Sequence, residues 1–299
     1  MRFVRWMRDG LLSFRARIRT DAPVPGTTPA MIRTSWRLAA ALSMMAVAAC
    51  RPEFNLKNFT TNEVLYSASY SEYQHHHWDN AIAGFEKLTT DLPARDTLLP
   101  WSYWYLASAH SHQDENLLAA QSYSRLVETF PDDSLADDAA LESARAYRKL
   151  WRKPELDPTY GETAVASYNT LIGLYPTSPL IPQAQKEIAD LENWFSIKDY
   201  DAGMYYFRRK AYDSGILYFK DALTKYPNAP NSKQSALRLV ESFKSIKYRD
   251  DAIELCTQLR QRYPNDREVS KSCNGVPDLP ATKPDSAAVL PPRKPPSTP

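Results

Sequence analysis

Glycine is scarce in this chain, with eight among 299 residues. That scarcity disfavours a sheet-rich fold threaded by tight turns, and several of the 23 prolines stand where helices should stop. No glycine-rich phosphate loop, no G-x-S-x-G elbow and no H-E-x-x-H pair is present, so the usual signatures of nucleotide chemistry, acyl transfer and zinc proteolysis are missing. The main apolar run covers only residues 38–49. As a helix it spans ~18 Å against a hydrocarbon core of ~30 Å, which is too short to cross a membrane. Positive charge is lacking where a nucleic-acid binder needs it. Residues 1–49 hold eight Arg against Asp9 and Asp21 alone. Taking them from totals of 37 basic and 35 acidic residues leaves 29 and 33 from Cys50 onward, a net charge of −4.

What is present begins with an address. Trp36 and Arg37 precede the apolar run, and Val47-Ala48-Ala49 leads directly into Cys50. A basic flank, a short apolar region and small residues before a cleavage point describe a secretory signal. The four residues ending at Cys50 resemble the bacterial lipobox. That resemblance implies a diacylglycerol on the Cys50 thiol, cleavage before it and acylation of the new amine, giving the two or three chains that stable anchoring needs. The alternative is an ordinary signal peptide that ends at a chance cysteine. Arg51 stands where an Asp would retain an enterobacterial-type lipoprotein in the inner membrane, so the resemblance implies outer-membrane routing. The 30 residues before Met31 are long for a signal, and Met31 is the expected start. Residues 1–49 are thus read as leader and signal peptide, and 50–60 as a lipid-anchored linker.

A ruler of 0, +4, +7, +11 and +12 fits five times. It reads Ala81, Phe85, Leu88, Leu92, Pro93; Ala119, Tyr123, Leu126, Phe130, Pro131; Ala164, Tyr168, Leu171, Tyr175, Pro176; Gly215, Phe219, Ala222, Tyr226, Pro227; and Ala252, Cys256, Leu259, Tyr263, Pro264. The first four positions share one helix face. Proline at +12 lacks an N–H and pushes the preceding residue out of helical geometry, so each helix should stop there. A small residue, an aromatic four on and a terminal proline form the second half of the tetratricopeptide signature. The partner helix of each pair needs a small residue about twelve positions upstream. Ser69, Ala107, Gly203 and Val240 stand there for repeats one, two, four and five, and Ala144 serves repeat three. Residues 152–160, with two prolines, lengthen the inter-helix turn of repeat three. Unbroken helical spacing predicts one long helix over residues 183–209, and residues 268–273 supply a final cap. The fold expected is all-α: a right-handed superhelix of five tetratricopeptide-like helix pairs over residues 61–275, with the long helix between repeats three and four. Residues 276–299 carry eight prolines and read as a disordered tail.

Three clusters invite chemistry. His75, His76 and His77 point about 100° apart at a helix end and lack further ligands at a recognisable spacing, so no metal is assigned and no cofactor is implied. Asp132, Asp133, Asp137 and Asp138 lead into a helix N-terminus, which favours acids. Cys256 and Cys273 flank the turn at Pro264 almost symmetrically, so antiparallel helices would bring them level. A disulfide there suits an oxidising compartment, while two separate thiols remain the alternative, since Cys256 also sits on the core stripe. Catalysis has no positive support.

First helices line the inner groove of such arrays. Tyr66, Tyr70 and Tyr73 lie on that side in repeat one, Trp101 and Trp104 in repeat two, and Arg145 and Arg148 in repeat three. Aromatic faces offer contact area at little entropic cost and Arg forks a carboxylate, which suits an extended peptide with aromatic side chains and a free C-terminus. The same aromatics would also serve simply to pack repeat on repeat.

The lipobox, the short linker, the five repeats and the stretch KEIADLENWFSIKDYDAGMYYFRRKAYDSGILYFKDALTKYP at residues 186–227 together resemble the BamD family, lipoproteins of the outer-membrane β-barrel assembly machinery. The resemblance covers about residues 50–270. It implies a lipid-anchored periplasmic scaffold that binds the periplasmic domains of a BamA-like barrel-forming subunit and other assembly lipoproteins. It also implies reception of the C-terminal signals of unfolded outer-membrane proteins. The long repeat-three turn and the proline-rich tail depart from that pattern. Two rivals are a repeat lipoprotein that recruits cell-wall enzymes and a nutrient-binding surface lipoprotein, for which the chain lacks the insertions a glycan pocket needs.

Overall fold

A computed structural model describes residues 54–279, and within them every regular element is a helix. After a short 3-10 turn at Leu56–Asn58 come α1 (Asn62–Gln74), α2 (Trp78–Asp91), α3 (Leu98–His112), α4 (Asn116–Thr129), α5 (Ala136–Leu150) and α6 (Thr159–Leu174). There follow α7 (Ile181–Arg208), α8 (Tyr212–Lys225), α9 (Ser232–Ile246), α10 (Arg249–Arg262) and α11 (Arg267–Ser272). Each packs chiefly on its neighbours in chain order, as stacked helix pairs must.

The second helices α2, α4, α6, α8 and α10 all stop two residues before a proline, at Asp91, Thr129, Leu174, Lys225 and Arg262. In each, the residue before the proline leaves helical geometry; Leu92, for example, has φ −73° and ψ 137°. The first helices end differently. His77, Glu115, Ala211 and Tyr248 donate their N–H to the carbonyls of Glu72, His110, Tyr206 and Phe243, closing the same turn four times. The residue before each, His76, Asp114, Lys210 or Lys247, has φ near 60°, the position that glycine usually takes in this turn.

The small residues of the first helices are buried, Ser69, Ala107, Ala144 and Val240 completely. Gly203 shows why size matters there: a Cβ on it would stand 2.5 Å from the Phe219 ring. The long helix begins at Ile181, two residues earlier than its apolar spacing predicts, because Pro182 lies in the first turn, where no N–H is needed. Its 28 residues join two cores. Ala184, Leu191 and Phe195 pack with repeats two and three, whereas Tyr200, Met204 and Phe207 pack with α8 to α10.

The array closes on α11. Asp266 caps its N-terminus by accepting from the N–H groups of Glu268 and Val269. Past it, residues assigned by composition to the tail lie against α10. Arg260 donates to the carbonyls of Cys273 and Val276, both at 2.8 Å, and pairs with Asp278, while Leu279 N–H donates to Thr257. A proline-rich composition had nothing to say about these backbone acceptors.

Candidate peptide-binding groove

Three regions emerge where the sequence suggested one groove. The first lies between repeats one and two. Tyr66, Tyr70 and Tyr73 stand in a ladder along α1, with successive ring centroids 6.5 Å apart and nearly parallel. Tyr105 of α3 closes against Tyr70 and Tyr73 at 4.9 and 5.0 Å, and Trp101 stacks beyond it at 6.0 Å. The Tyr73 hydroxyl is hydrogen-bonded to that of Ser108 across the repeat boundary, at 2.7 Å. These rings therefore pack repeat on repeat, yet they keep an open side: the tyrosines are half-buried and Trp101 is 41% exposed. Burial, and then the neighbouring Tyr70, raise the pKa of Tyr105 above the ordinary tyrosine value, so its hydroxyl stays protonated. Tyr105 is four residues after Trp101, and that spacing alone would have marked it as a member of the set.

Trp104 does not join this cluster. It packs edge-on to Tyr123 at 5.2 Å and borders a depression with His112, Asp138 and Glu142. Burial, followed by Asp137 and Glu142, raises the Asp138 pKa. The region beside Trp104 is acidic rather than basic.

The basic pair lies farther along, in a cleft of about 1000 Å³ between α5 and α7. Arg145 is not free. It donates to Glu187 at 3.0 and 2.7 Å and to Glu142 at 2.6 Å, and these bonds raise its pKa. Arg148 lies 3.5 Å from Glu187 and 3.7 Å from Asp190. Tyr168 donates to Glu187 as well. Burial alone would lift the Glu187 carboxyl, but the bonds from Arg145 and Tyr168 outweigh it and hold its pKa low. The two arginines are thus first a clamp between repeat three and the long helix. Glu187 lies 42 residues from Arg145, and no local pattern announced it.

Cys256 and Cys273 are joined in the structure, with their Cα atoms 5.6 Å apart, fastening α10 to the end of α11. Cys50 lies outside the described residues. Of the histidines, His75 caps α1, His76 takes the left-handed turn and His77 pairs with Glu72 at 3.0 Å. Among the described residues no group of three or more metal-binding side chains is assembled, and no helix is long and apolar enough to cross a membrane.

Stacked helix pairs that present an aromatic face and charged clefts define a repeat scaffold, a class built to hold other chains. Residues 59–254 match the family described as YfiO, outer membrane lipoprotein, and the chain belongs to that family. It is 21% identical over 243 residues to the outer membrane protein assembly factor BamD of Caulobacter vibrioides, covering 79% of this chain and 78% of that protein. It is 20% identical to the factor of the same name from Xylella fastidiosa over 185 residues, 61% of this chain and 53% of that protein. Similar solved structures include the TPR2AB domain complex of yeast Sti1, at 15% identity and TM-score 0.36, covering 71% of this chain and 81% of that one. Another is the tetratricopeptide protein TTC0263 of Thermus thermophilus, at 18% identity and TM-score 0.32, covering 71% and 96%.

Proposed function

We propose that this chain is a scaffold lipoprotein of outer-membrane β-barrel protein assembly, anchored through acylated Cys50 and facing the periplasm. It binds the periplasmic domains of a BamA-like barrel-forming subunit, meets other assembly lipoproteins, and receives the C-terminal segments of unfolded outer-membrane proteins. Family membership supports the outer-membrane assembly role. The ladder of Tyr66, Tyr70 and Tyr73 with Tyr105 and Trp101 carries the substrate reading. An unfolded barrel strand offers alternating aromatic and apolar side chains, and partly exposed aromatic rings held rigid by their neighbours receive such side chains at low entropic cost.

Two measurements test the reading. Titrating a peptide of alternating aromatic residues should give an affinity that falls about tenfold in Tyr70→Ala, and similarly in Trp101→Ala, the exposed ring of the same cluster in repeat two. Depleting the protein in its host should lower the levels of outer-membrane barrels. Unchanged barrel levels, with cell-wall hydrolases recovered in a membrane pull-down, would return the chain to the adaptor class.

A further inference from the structure

The cleft between α5 and α7 holds more positive charge than its own carboxylates take up. Arg145, Arg148, Lys149, Arg152 and Lys186 line it with Glu187 and Asp190, and Glu142 pairs with Arg145 from the same helix. Five cations against three carboxylates leave a surplus of two. Arg145 and Arg148 are committed to the clamp, and Lys149 donates to the Ser111 hydroxyl at 3.2 Å. Arg152 and Lys186 remain, both exposed and without an ion-pair partner among the described residues. They enter from opposite sides, Arg152 from the α5–α6 turn and Lys186 from the long helix. Like charges around one opening repel, and an anion between them relieves the repulsion.

The turn that brings Arg152 to the cleft also carries an apolar tip. Leu156 is 50% exposed, and it lies four residues past Arg152, at most ~14 Å away along the chain. Tyr160, at the start of α6, is exposed as well. A lone exposed leucine is ordinary, but this one sits on a turn that is held in place. Lys198 of α7 donates to the Glu155 and Leu156 carbonyls, the latter at 2.9 Å, and Asp157 accepts from the Thr159 N–H at 2.9 Å. Trp194, half-buried, stands on the other side of the cleft, edge-on to buried Trp151. Within the turn, Arg152 and Lys153 are matched in number by Glu155 and Asp157, so the turn alone would not select an anionic surface. Lys149 and Lys186 across the cleft tip the balance.

We propose that the cleft and this turn form a membrane-surface contact, in which phosphates of anionic lipid headgroups sit between Arg152 and Lys186 while Leu156 enters the interface. Cations beside an exposed aliphatic side chain and partly exposed Trp and Tyr are the composition that holds proteins to anionic leaflets. Headgroups present several phosphates side by side, which suits cations spread around an opening of about 1000 Å³. The proposal rests on the outer-membrane assignment of the family and not on peptide binding. It adds a second contact to the acyl anchor at Cys50, and in a chain already tethered such a contact needs little affinity of its own.

The test is co-sedimentation with vesicles of phosphatidylcholine, alone or mixed with phosphatidylglycerol. It uses the processed chain from residue 50 onward with Cys50→Ser, which removes the acyl anchor and alters none of the described helices. That chain has a net charge of −4, so diffuse attraction gives it no preference for an anionic surface. The mixed vesicles should bind it about tenfold more tightly than phosphatidylcholine alone, and Arg152→Ala with Lys186→Ala should erase the preference. Leu156→Ser should weaken binding to the mixed vesicles severalfold. All three positions are exposed, so folding is not at risk. Lys247→Ala with Arg249→Ala, two exposed cations at the α9–α10 turn, should change nothing. Equal binding to both kinds of vesicle, a preference that survives the Arg152 and Lys186 changes, or an equal loss in the Lys247 and Arg249 pair overturns the contact. Should the chain bind soluble diphosphate but neither vesicle, the ligand is a free phosphate and the membrane is overturned. If Leu156→Ser binds like the unchanged chain, the role of the turn is overturned. None of these outcomes depends on Tyr70 or on barrel levels, so the assembly reading stands or falls separately.

Discussion

Gly161 lies against the face of Trp151 so closely that a Cβ on it would stand 2.2 Å from Cε3 of the indole. This contact brings the long turn of repeat three, residues 151–158, down onto α6 and seats the tryptophan that walls the cleft. Trp151 is wedged also by Trp194 and Phe195, so it has nowhere to retreat.

Gly161→Ala should therefore destabilise the protein by about 1–3 kcal/mol, the usual cost of overpacking. Gly173, on the same helix, has nothing within 4 Å of its would-be Cβ. Gly173→Ala should stabilise by up to ~1 kcal/mol, because alanine loses less backbone entropy in a helix. Denaturant midpoints of the two variants should move in opposite directions; movement in the same direction would show that Trp151 is not clamped.

Glu187 is the shared acceptor of Arg145, Arg148 and Tyr168, and its side chain is 13% exposed. Glu187→Gln should cost about 2 kcal/mol, less than for a fully buried pair because Arg145 keeps 27% of its side chain in water. The pH dependence has a definite sign. A carboxyl whose folded pKa is depressed contributes stability above its unfolded value, about 4.3 for Glu, and loses it as pH falls toward the folded value. Wild type should thus lose more stability than Glu187→Gln on acidification below about pH 4.3. Parallel acid melts of the two proteins would rule this out.

Reduction, or Cys273→Ser, should remove about 3 kcal/mol in the chain-entropy account for a bridge of sequence separation 17. Hydrogen exchange should quicken first in α11 and residues 276–279, which Arg260 holds to α10. Thiol counting in the unreduced, unfolded protein checks the bridge directly: reactive Cys256 and Cys273 would disprove it.

Lys210 occupies a left-handed position at φ 60°, where a side chain is strained and glycine is not. Lys210→Gly should raise stability by ~1 kcal/mol, partly offset by the greater freedom of glycine in the unfolded chain. A measured loss of stability would mean that the Lys210 side chain makes contacts outweighing the backbone strain.

By itself the sequence determined the helix pairs, their ends and the position of the long helix. Those features are written within a dozen residues, in the period of the apolar stripe and in the sterics of the residue before a proline, and no distant contact is needed to read them. Partnership across the array was another matter. That Arg145 answers to Glu187, that Trp104 turns away from the tyrosine ladder toward Asp138 and Glu142, and that Trp151 is buried under Gly161 depend on how one helix face registers against the next. Helical spacing places a residue on a face, but only stacking decides whether that face meets water, an ion pair or a ring.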